Sequence, residues 1–297
     1  MNGIINVLKP SEMTSHDVVS FIRKTFNMKK VGHTGTLDPN AAGVLPICIG
    51  KATRVAEYFD EFNKSYRGEL TLGSSTDTQD KYGVVTQSTE KLVTEKEIID
   101  VFNQFNGDMK QTPPMYSAIK INGKKLYELA REGKTVDRKQ RDITIYNIEI
   151  LRNYENKRIL FDIDCSKGTY VRTICNDIGE RLGTLGHMSF LMRTKVGNFD
   201  IKGAYTLDEL EQLKKEDNLE TTLLPLDTPL LQYASIEFDE EKSKCLKNGL
   251  KLKMQSSENQ YTKDQFVRVY SKSEFIGVGV FIEKENELYL KMKKVFA

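Results

Sequence analysis

The alternation of apolar and polar residues predicts strands and helices in irregular order. Strand-like alternation is found at residues 3–8, 66–72, 83–86, 143–152 and 159–165. Helical spacing is found at residues 15–26, 95–105, 170–182 and 207–214. In the first helix Val18, Val19, Ile22 and Phe26 form one apolar face, and Ser15 is the predicted N-cap. Strands mixed irregularly with helices indicate an α+β fold rather than a regular βαβ array.

The pattern changes near Thr228. The polar helix at 207–214 is followed by an acidic stretch at 215–222 and by Leu-Leu-Pro-Leu-Asp at 223–227. Short strands at 266–270, 275–282 and 288–293 then alternate with turns. We therefore predict a large unit of residues 1–228 and a small β-rich unit of residues 229–297.

Composition is that of a soluble globular chain of 297 residues, with 39% hydrophobic residues and a formal net charge of +2. The longest apolar runs are far shorter than the ~20 residues of a membrane span, and the N-terminus lacks the basic flank of a signal peptide. We expect a cytoplasmic protein that does not interact with membranes. The four cysteines and three histidines are too dispersed to predict disulfides or a metal site.

Familiar cofactor motifs are absent from the sequence, which contains no Walker loop, no G-x-G-x-x-G after a strand and no G-x-S-x-G. Residues 77–83 are similar to a calcium loop, but Ser88 stands where the closing Glu would be, so they are interpreted as a polar turn. The sequence therefore predicts chemistry that needs no cofactor and no metal.

Charge is unevenly distributed. Residues 110–142 hold nine Lys or Arg against four Asp or Glu, with Tyr116 and Tyr127 among them. Basic side chains interleaved with aromatic rings are suited to nucleic acid, because phosphates attract the charges and bases stack on the rings. The alternative is an ordinary solvated loop and helix.

Two segments could carry chemistry. Residues 32–46 contain three glycines and two prolines, which predicts an ordered loop, and Pro39 holds Asp38 extended. A carboxylate fixed in this way could act as a nucleophile or a base, or Asp38 could simply bind its own backbone in a turn.

The second segment is residues 165–172. Here Thr169 is the predicted N-cap and places Arg172 in the first helical turn. The helix dipole disfavours a cation there unless an anion such as a phosphate or Asp38 compensates for it. The alternative is that Arg172 points to solvent, where the cost is small.

Several motifs together resemble one family. G-H-T-G-T-L-D-P at residues 32–39, preceded by K-P and followed by K-S-Y and C-S-K-G-T-Y-V-R, is similar to bacterial tRNA pseudouridine synthase B over residues 3–229. The resemblance implies a large mixed-sheet catalytic domain that isomerises uridine 55 in the tRNA T loop, and residues 110–142 match the RNA-clasping insertion of the family. The C-terminal region resembles a small PUA-like RNA-binding domain. A stand-alone monomer without a protein partner is expected.

The resemblance also implies roles for individual residues. Asp38 matches the catalytic aspartate, Tyr66 the tyrosine that packs on uracil, and Arg172 the arginine paired with the aspartate. The resemblance does not decide whether Asp38 attacks the base or the sugar, or acts through a glycal route. The implied substrate-binding residues are His33, Lys9 with Pro10, Tyr170 and Leu191. Each of these residues could instead have an ordinary structural role.

Two departures from the family pattern are visible. Glu12 stands where the family usually has glycine, and Met192-Arg193 replaces an Arg-Arg pair; neither is expected to touch the chemistry.

Three other functions remain open: a guide-RNA-dependent relative, an RNA-binding or tRNA-folding protein without turnover, and a methyltransferase using Cys165. The first usually has a more basic C-terminal region than the 12 Lys or Arg and 10 Asp or Glu at 230–297, and the third lacks a methyl-donor site.

Overall fold

The structure, a computed structural model, describes residues 1–121, 123–254 and 261–296. Its helices are α1 (Ser15–Thr25), α2 (Glu95–Asn103), α3 (Leu126–Arg131), α4 (Val171–Leu182), α5 (Leu207–Lys215) and α6 (Glu240–Lys247). Its strands are β1 (Gly3–Lys9), β2 (Val31–His33), β3 (Ala42–Ile49), β4 (Lys64–Leu72), β5 (Ser74–Thr76), β6 (Val85–Ser88), β7 (Gly107–Gln111), β8 (Lys120–Ile121), β9 (Lys124–Lys125), β10 (Arg141–Tyr154), β11 (Arg158–Cys165), β12 (Gly186–Val196), β13 (Phe199–Asp200), β14 (Ala234–Phe238), β15 (Leu252–Lys253), β16 (Phe266–Ser271), β17 (Glu274–Lys284) and β18 (Glu287–Val295).

The larger sheet runs in the order β1-β3-β12-β4-β11-β10-β7, with β2 beside β3 and β13 beside β12. Most neighbours are antiparallel, whereas β12 meets β3 in parallel at the pairs Met192–Ala42 and Arg193–Gly43. The sheet is therefore mixed, and the predicted α+β class is confirmed. Within the described residues, no helix is long and apolar enough to cross a membrane.

Two apolar cores lie against the larger sheet. One joins α2 and α4 to β10 and β11 through residues such as Phe102, Phe161 and Ile174. The other joins α1 and α5 to β1 and β3 through residues such as Ile22 and Leu45, and the predicted apolar face of α1 is buried in it. Tyr66 and Leu191, from the adjacent central strands β4 and β12, pack against both cores. The seam between the cores is where the site forms.

The smaller sheet runs in the order β14-β16-β17-β18-β15 and packs on the larger unit. Val278 and Phe296 from the smaller sheet share a buried cluster with Ile4, Val44 and Phe59 of the larger unit. Because Ile5 and Leu45 point into the core around α1, strands β1 and β3 are covered on both faces. The boundary near Thr228 stays a prediction.

Both predicted N-caps are wrong. Thr14 caps α1, because its hydroxyl accepts from the N–H of Asp17, and Asp17 returns a bond to the backbone of Thr14 in a capping box. Residue 170 is the N-cap of α4 and makes no side-chain capping bond, while the Thr169 hydroxyl donates to the Ser166 carbonyl. The prediction that Gly183 ends α4 is confirmed by its φ of +68°.

Two predicted boundaries are also wrong. Residues 32–46 do not form one loop, because β2 ends at His33 and β3 begins at Ala42, so the loop is only residues 34–41. The strand predicted at residues 83–86 begins at Val85, because residues 77–84 form a turn in which the Asp77 carboxylate accepts the N–H of Val84.

Candidate active site

The loop of residues 34–41 presents Asp38 to the seam between the two cores. The residue before Asp38, Leu37, is buried. Its N–H donates to the Ser15 hydroxyl at 2.9 Å, and its carbonyl accepts from the same hydroxyl at 3.2 Å. On the other side, the Lys9 ammonium donates to the Pro39 carbonyl at 3.0 Å. The Asp38 side chain stays 43% exposed. A carboxylate that is open to solvent therefore sits on a loop that is fixed at both of its neighbours.

Arg172 faces this carboxylate from the first turn of α4. Its guanidinium lies 3.0 Å from the Asp38 carboxylate, although the Arg172 side chain is only 8% exposed. The anion that the helix dipole requires near this cation is therefore Asp38, one of the two anions considered from the sequence. A charge-assisted bond of this kind gives the carboxylate a defined direction.

A second carboxylate, Asp80, lies on the other side of the same guanidinium. Its oxygen is 3.8 Å from the Arg172 Nη1 atom, and its side chain is 16% exposed. The turn that holds Asp80 is tied to α4, because the Thr173 hydroxyl donates to the Gln79 side chain at 2.7 Å. The sequence alone does not single out Asp80, because residues 77–83 have the composition of an ordinary polar turn. The acidic composition of that turn was the available signal.

A cavity of about 110 Å³ opens beside Asp38 and Arg172. Tyr66, Tyr170 and Leu191 line it, so the structure brings together five of the seven predicted site residues. The Tyr170 ring also lies under the Arg172 guanidinium, 5.9 Å from ring centre to guanidinium carbon. Apolar walls with one ion pair at the rim are suited to a flat ring that carries polar edges.

The pKa of Tyr66 is raised by burial, and Arg193 beside it lowers that pKa in part. The phenol is therefore neutral at neutral pH and can donate a proton. Arg193 is 3% exposed and donates to the Val44 and Gly35 carbonyls at 2.8 and 3.2 Å. Arg193, the arginine that remains of the Arg-Arg pair, therefore lies beside Tyr66 and supports the loop that holds Asp38 and the strand after it.

Lys9 is fully buried beneath the loop. Its ammonium donates to the carbonyls of Pro10, Met13 and Pro39 at 2.7, 2.6 and 3.0 Å. Burial lowers the pKa of Lys9 to about 8, while the charge of Asp38 acts in the opposite direction. All three N–H donors of the charged form are satisfied by backbone, so Lys9 fixes the loop from below.

The turn above Lys9 contains Glu12 at a φ of +67°, a conformation that glycine adopts without strain. His33 lies at the start of the loop, half-buried, where its Nδ1 atom accepts the N–H of Gly35 at 3.3 Å. Burial lowers the pKa of His33. His33 lines the outer groove and not the small cavity.

The groove, of about 870 Å³, runs from Asp38 to the basic segment of residues 110–142. Tyr116, Tyr127 and Arg131 from that segment line its far wall. The Tyr127 ring is flanked by Lys125 and Arg131, at 5.3 and 5.5 Å from the ring centre. The groove therefore combines cations with accessible aromatic rings next to the ion pair, which is the arrangement that binds single-stranded nucleic acid.

Cys165 does not fit the role of a nucleophile. It is fully buried in β11, and burial raises the pKa of its thiol to about 12. Across residues 1–121, 123–254 and 261–296, no group of three or more His, Cys, Asp or Glu is placed to hold a metal ion.

Comparisons with known proteins agree on one family. The model for the TruB family pseudouridylate synthase N-terminal domain matches residues 23–171, and the model for the tRNA pseudouridylate synthase B C-terminal domain matches residues 172–231. tRNA pseudouridine synthase B of Alkaliphilus oremlandii is 49% identical over 99% of this chain and 98% of its own. The same enzyme of Clostridioides difficile is 46% identical over the whole of both chains. A chain in the solved Cbf5-Nop10-Gar1 complex aligns with a TM-score of 0.75 at 26% identity, over 99% of this chain and 85% of that one.

Proposed function

Since the chain belongs to the TruB family and is a tRNA pseudouridine synthase, we propose that its target is uridine 55 in the T loop of tRNA and that Asp38, Tyr66 and Arg172 carry the reaction. The observation that carries the proposal is the ion pair of Asp38 and Arg172, 3.0 Å long, at the rim of a cavity walled by Tyr66.

The proposed chemistry is an exchange of bonds within one nucleotide. The bond between C1′ of ribose and N1 of uracil breaks, the base rotates, a bond forms between C1′ and C5, and a proton moves from C5 to N1. Because one C–N bond is replaced by one C–C bond, the balance requires no oxidant, nucleotide or metal. Asp38 acts as the carboxylate in any of three routes: attack on the base, attack on the sugar, or a glycal route.

Uracil must leave the T loop before it can react. Extruding a stacked base costs a few kcal/mol, which stacking and pocket contacts offset. The Tyr66 ring offers the stacking face, and Leu191 and Tyr170 complete the wall of the pocket. Neutral Tyr66 can also relay the proton, because its hydroxyl can protonate N1 of the rotated base and the resulting phenolate can take the proton that leaves C5. His33, in the groove, contacts the displaced nucleotide, whereas buried Lys9 contributes by holding the Asp38 loop.

The groove determines how the rest of the tRNA binds. We propose that Tyr116, Tyr127 and Arg131 of the insertion clasp the T stem-loop, and that the smaller unit binds RNA in the manner of a PUA domain. We also propose that the protein acts as a stand-alone monomer in the cytoplasm.

Tritium release tests the proposal directly. A tRNA transcript labelled with tritium at C5 of uridine should lose the label on incubation with the protein, and mapping should place pseudouridine at position 55. Binding of tRNA without release of label would favour the alternative of an RNA-binding or tRNA-folding protein. Release from another uridine would retain the activity and correct the position.

A further inference from the structure

Helix α4 begins beside the active site without a capping side chain of its own. Its N-cap, Tyr170, makes no side-chain bond to the first turn, and the first turn contains no acidic residue. Arg172, the second residue of the helix, is disfavoured in that turn by the helix dipole. The placement of this turn must therefore depend on contacts from outside the helix.

Those contacts come from the side-chain amide of Gln111. Its Oε1 atom accepts the N–H of Tyr170 at 2.8 Å, and its Nε2 atom donates to the carbonyl of Tyr170 at 3.1 Å. Gln111 is 2% exposed, so water does not compete for these bonds. Two bonds to one residue hold Tyr170 at φ −103° and ψ 104°, the extended conformation from which α4 starts.

Gln111 also stands at the base of the basic insertion. It is the last residue of β7 and pairs with Arg141, the first residue of β10, so the two ends of the insertion meet at this pair. Tyr116, which lines the groove, follows five positions later along the chain. The Gln111 amide is thus a direct link between the root of the insertion and the helix of Arg172.

We propose that Gln111 is a positioning residue for Arg172: its paired bonds to Tyr170 fix the first turn of α4 so that the guanidinium meets Asp38. The inference rests on the proposed roles of Arg172 and Asp38. Because the Gln111 side chain is buried, it acts through the helix and does not touch the substrate.

The first test is Gln111→Met, which keeps the length of the side chain and removes both bonds. Single-turnover release of tritium from labelled tRNA should slow about 10- to 100-fold, because displacement of a catalytic group by about 1 Å has effects of that size. The dissociation constant for tRNA should change less than about twofold, since the groove residues are retained. An unchanged single-turnover rate would overturn the inference.

The matched control is Asn6→Leu. Asn6 carries the same amide, is 3% exposed, and donates to the Asp200 carbonyl at 2.8 Å, away from the site. Gln111→Met removes two buried hydrogen bonds and Asn6→Leu removes one, so both should lower the melting temperature, but Asn6→Leu should retain the single-turnover rate. If the two variants slow the reaction equally, loss of stability explains the effect and the positioning role is rejected.

A double-mutant cycle shows whether Gln111 acts through Arg172. Adding Gln111→Met to Arg172→Ala should slow the reaction by less than about twofold beyond Arg172→Ala alone, because the group being positioned is already absent. A full additional loss would contradict the proposed route. Wild-type protein without any release of label would instead reject the proposed function, and this inference with it.

A second variant, Gln111→Glu, preserves shape and keeps the inference testable if Gln111→Met does not fold. The ionised carboxylate can accept the N–H of Tyr170 but cannot donate to its carbonyl. The single-turnover rate of this variant, relative to wild type, should therefore rise as pH falls and the carboxyl regains a donor. A ratio that is independent of pH would contradict the two-bond arrangement.

Discussion

At the residue scale, Asp38 combines an exposed carboxylate with a fixed direction. Asp38→Asn is nearly isosteric, and the side chain is 43% exposed, so the protein should fold normally. Because the amide has no negative charge, single-turnover release of tritium should fall at least 10³-fold, on the order expected for loss of a nucleophile or base. The dissociation constant for tRNA, measured by filter binding, should stay within about threefold. Turnover within tenfold of wild type would remove Asp38 from the mechanism.

Asp80 contacts the same guanidinium less closely, so a smaller effect is expected. Asp80→Asn keeps an oxygen for the Thr78 hydroxyl and the N–H of Tyr82, which Asp80 accepts at 2.8 and 3.0 Å, but removes the charge that faces Arg172. We expect the single-turnover rate to fall about 10-fold with little change in tRNA affinity. The reverse pattern, weaker binding with an unchanged rate, would show that Asp80 acts on RNA placement and not through Arg172.

Asp177 gives a pH dependence that can be measured by thermal unfolding. Burial in α4 raises the pKa of its carboxyl to about 6, from an ordinary value of 3.8. Between pH 3.8 and 6 the folded protein therefore holds a proton that the unfolded chain releases, so this group destabilises the fold above pH 6 and ceases to do so below pH 4.

Asp177→Asn should therefore increase the free energy of unfolding at pH 7.5 by about 1 kcal/mol, after allowance for solvent screening, and raise Tm by about 2 °C. The gain should shrink as pH falls through 6 and disappear near pH 4. Glu211→Gln, an exposed carboxylate on α5 that does not act on Asp177, controls for simple removal of a carboxylate. A gain that persists at pH 4 would assign the effect to another cause.

At the element scale, the first turn of α1 separates helix capping from site support. Thr14 caps the helix, whereas Ser15 binds the backbone of Leu37 beside Asp38. Thr14→Ala should cost about 1 kcal/mol of stability and leave the single-turnover rate within about twofold. Ser15→Ala leaves the buried N–H and carbonyl of Leu37 without this partner, which should cost about 1–3 kcal/mol and slow the reaction about tenfold. Equal rates in the two variants, measured below both melting temperatures, would contradict this division of roles.

Elements with a clear apolar period were predictable, and those shaped by distant contacts were not. The apolar face of α1 and the glycine end of α4 follow from local spacing, and both agree with the structure. Strand β3 was hidden, because Gly43 and Pro46 disfavour strands locally. Its conformation is set by packing: a Cβ on Gly43 would lie 2.2 Å from the Arg193 carbonyl oxygen, and Gly43 has φ +122°.

The candidate site shows the same division. Asp38 could be singled out because Pro39 constrains it, and the need of Arg172 for an anion could be stated from its place in the helix. Asp80 reaches the Arg172 guanidinium from the turn of residues 77–84, and Gln111 reaches the start of α4 from the end of β7. Local sequence does not encode that meeting, because only the folded sheet brings those segments together.

At the scale of the whole molecule, the smaller sheet is part of the common core and not a separate appendage. Val278 and Phe296 are buried against Val44 and Phe59, and the Arg54 guanidinium donates to the Val295 carbonyl at 2.6 Å. Deleting residues from 230 onward would therefore expose apolar surface, so a loss of tRNA binding by that truncation would not separate recognition from folding. A test of the proposed RNA-binding role of the smaller unit therefore requires substitutions in the full-length chain.

Suitable positions lie on β18. Lys294 donates to the Arg54 carbonyl and pairs with Glu57, so it serves packing. Lys291 and Lys293 are exposed on either side of the buried Met292, so both side chains are accessible to solvent. If both meet phosphates, replacing Lys291 and Lys293 with Gln should flatten the slope of log affinity against log salt by about 0.7–0.9 for each phosphate that is no longer bound, with Tm unchanged. A double variant with Gln at Lys96 and Lys215, which are exposed on α2 and α5, controls for the loss of two positive charges alone. Wild-type affinity and slope in the folded double variant would show that this face of the smaller sheet does not bind tRNA.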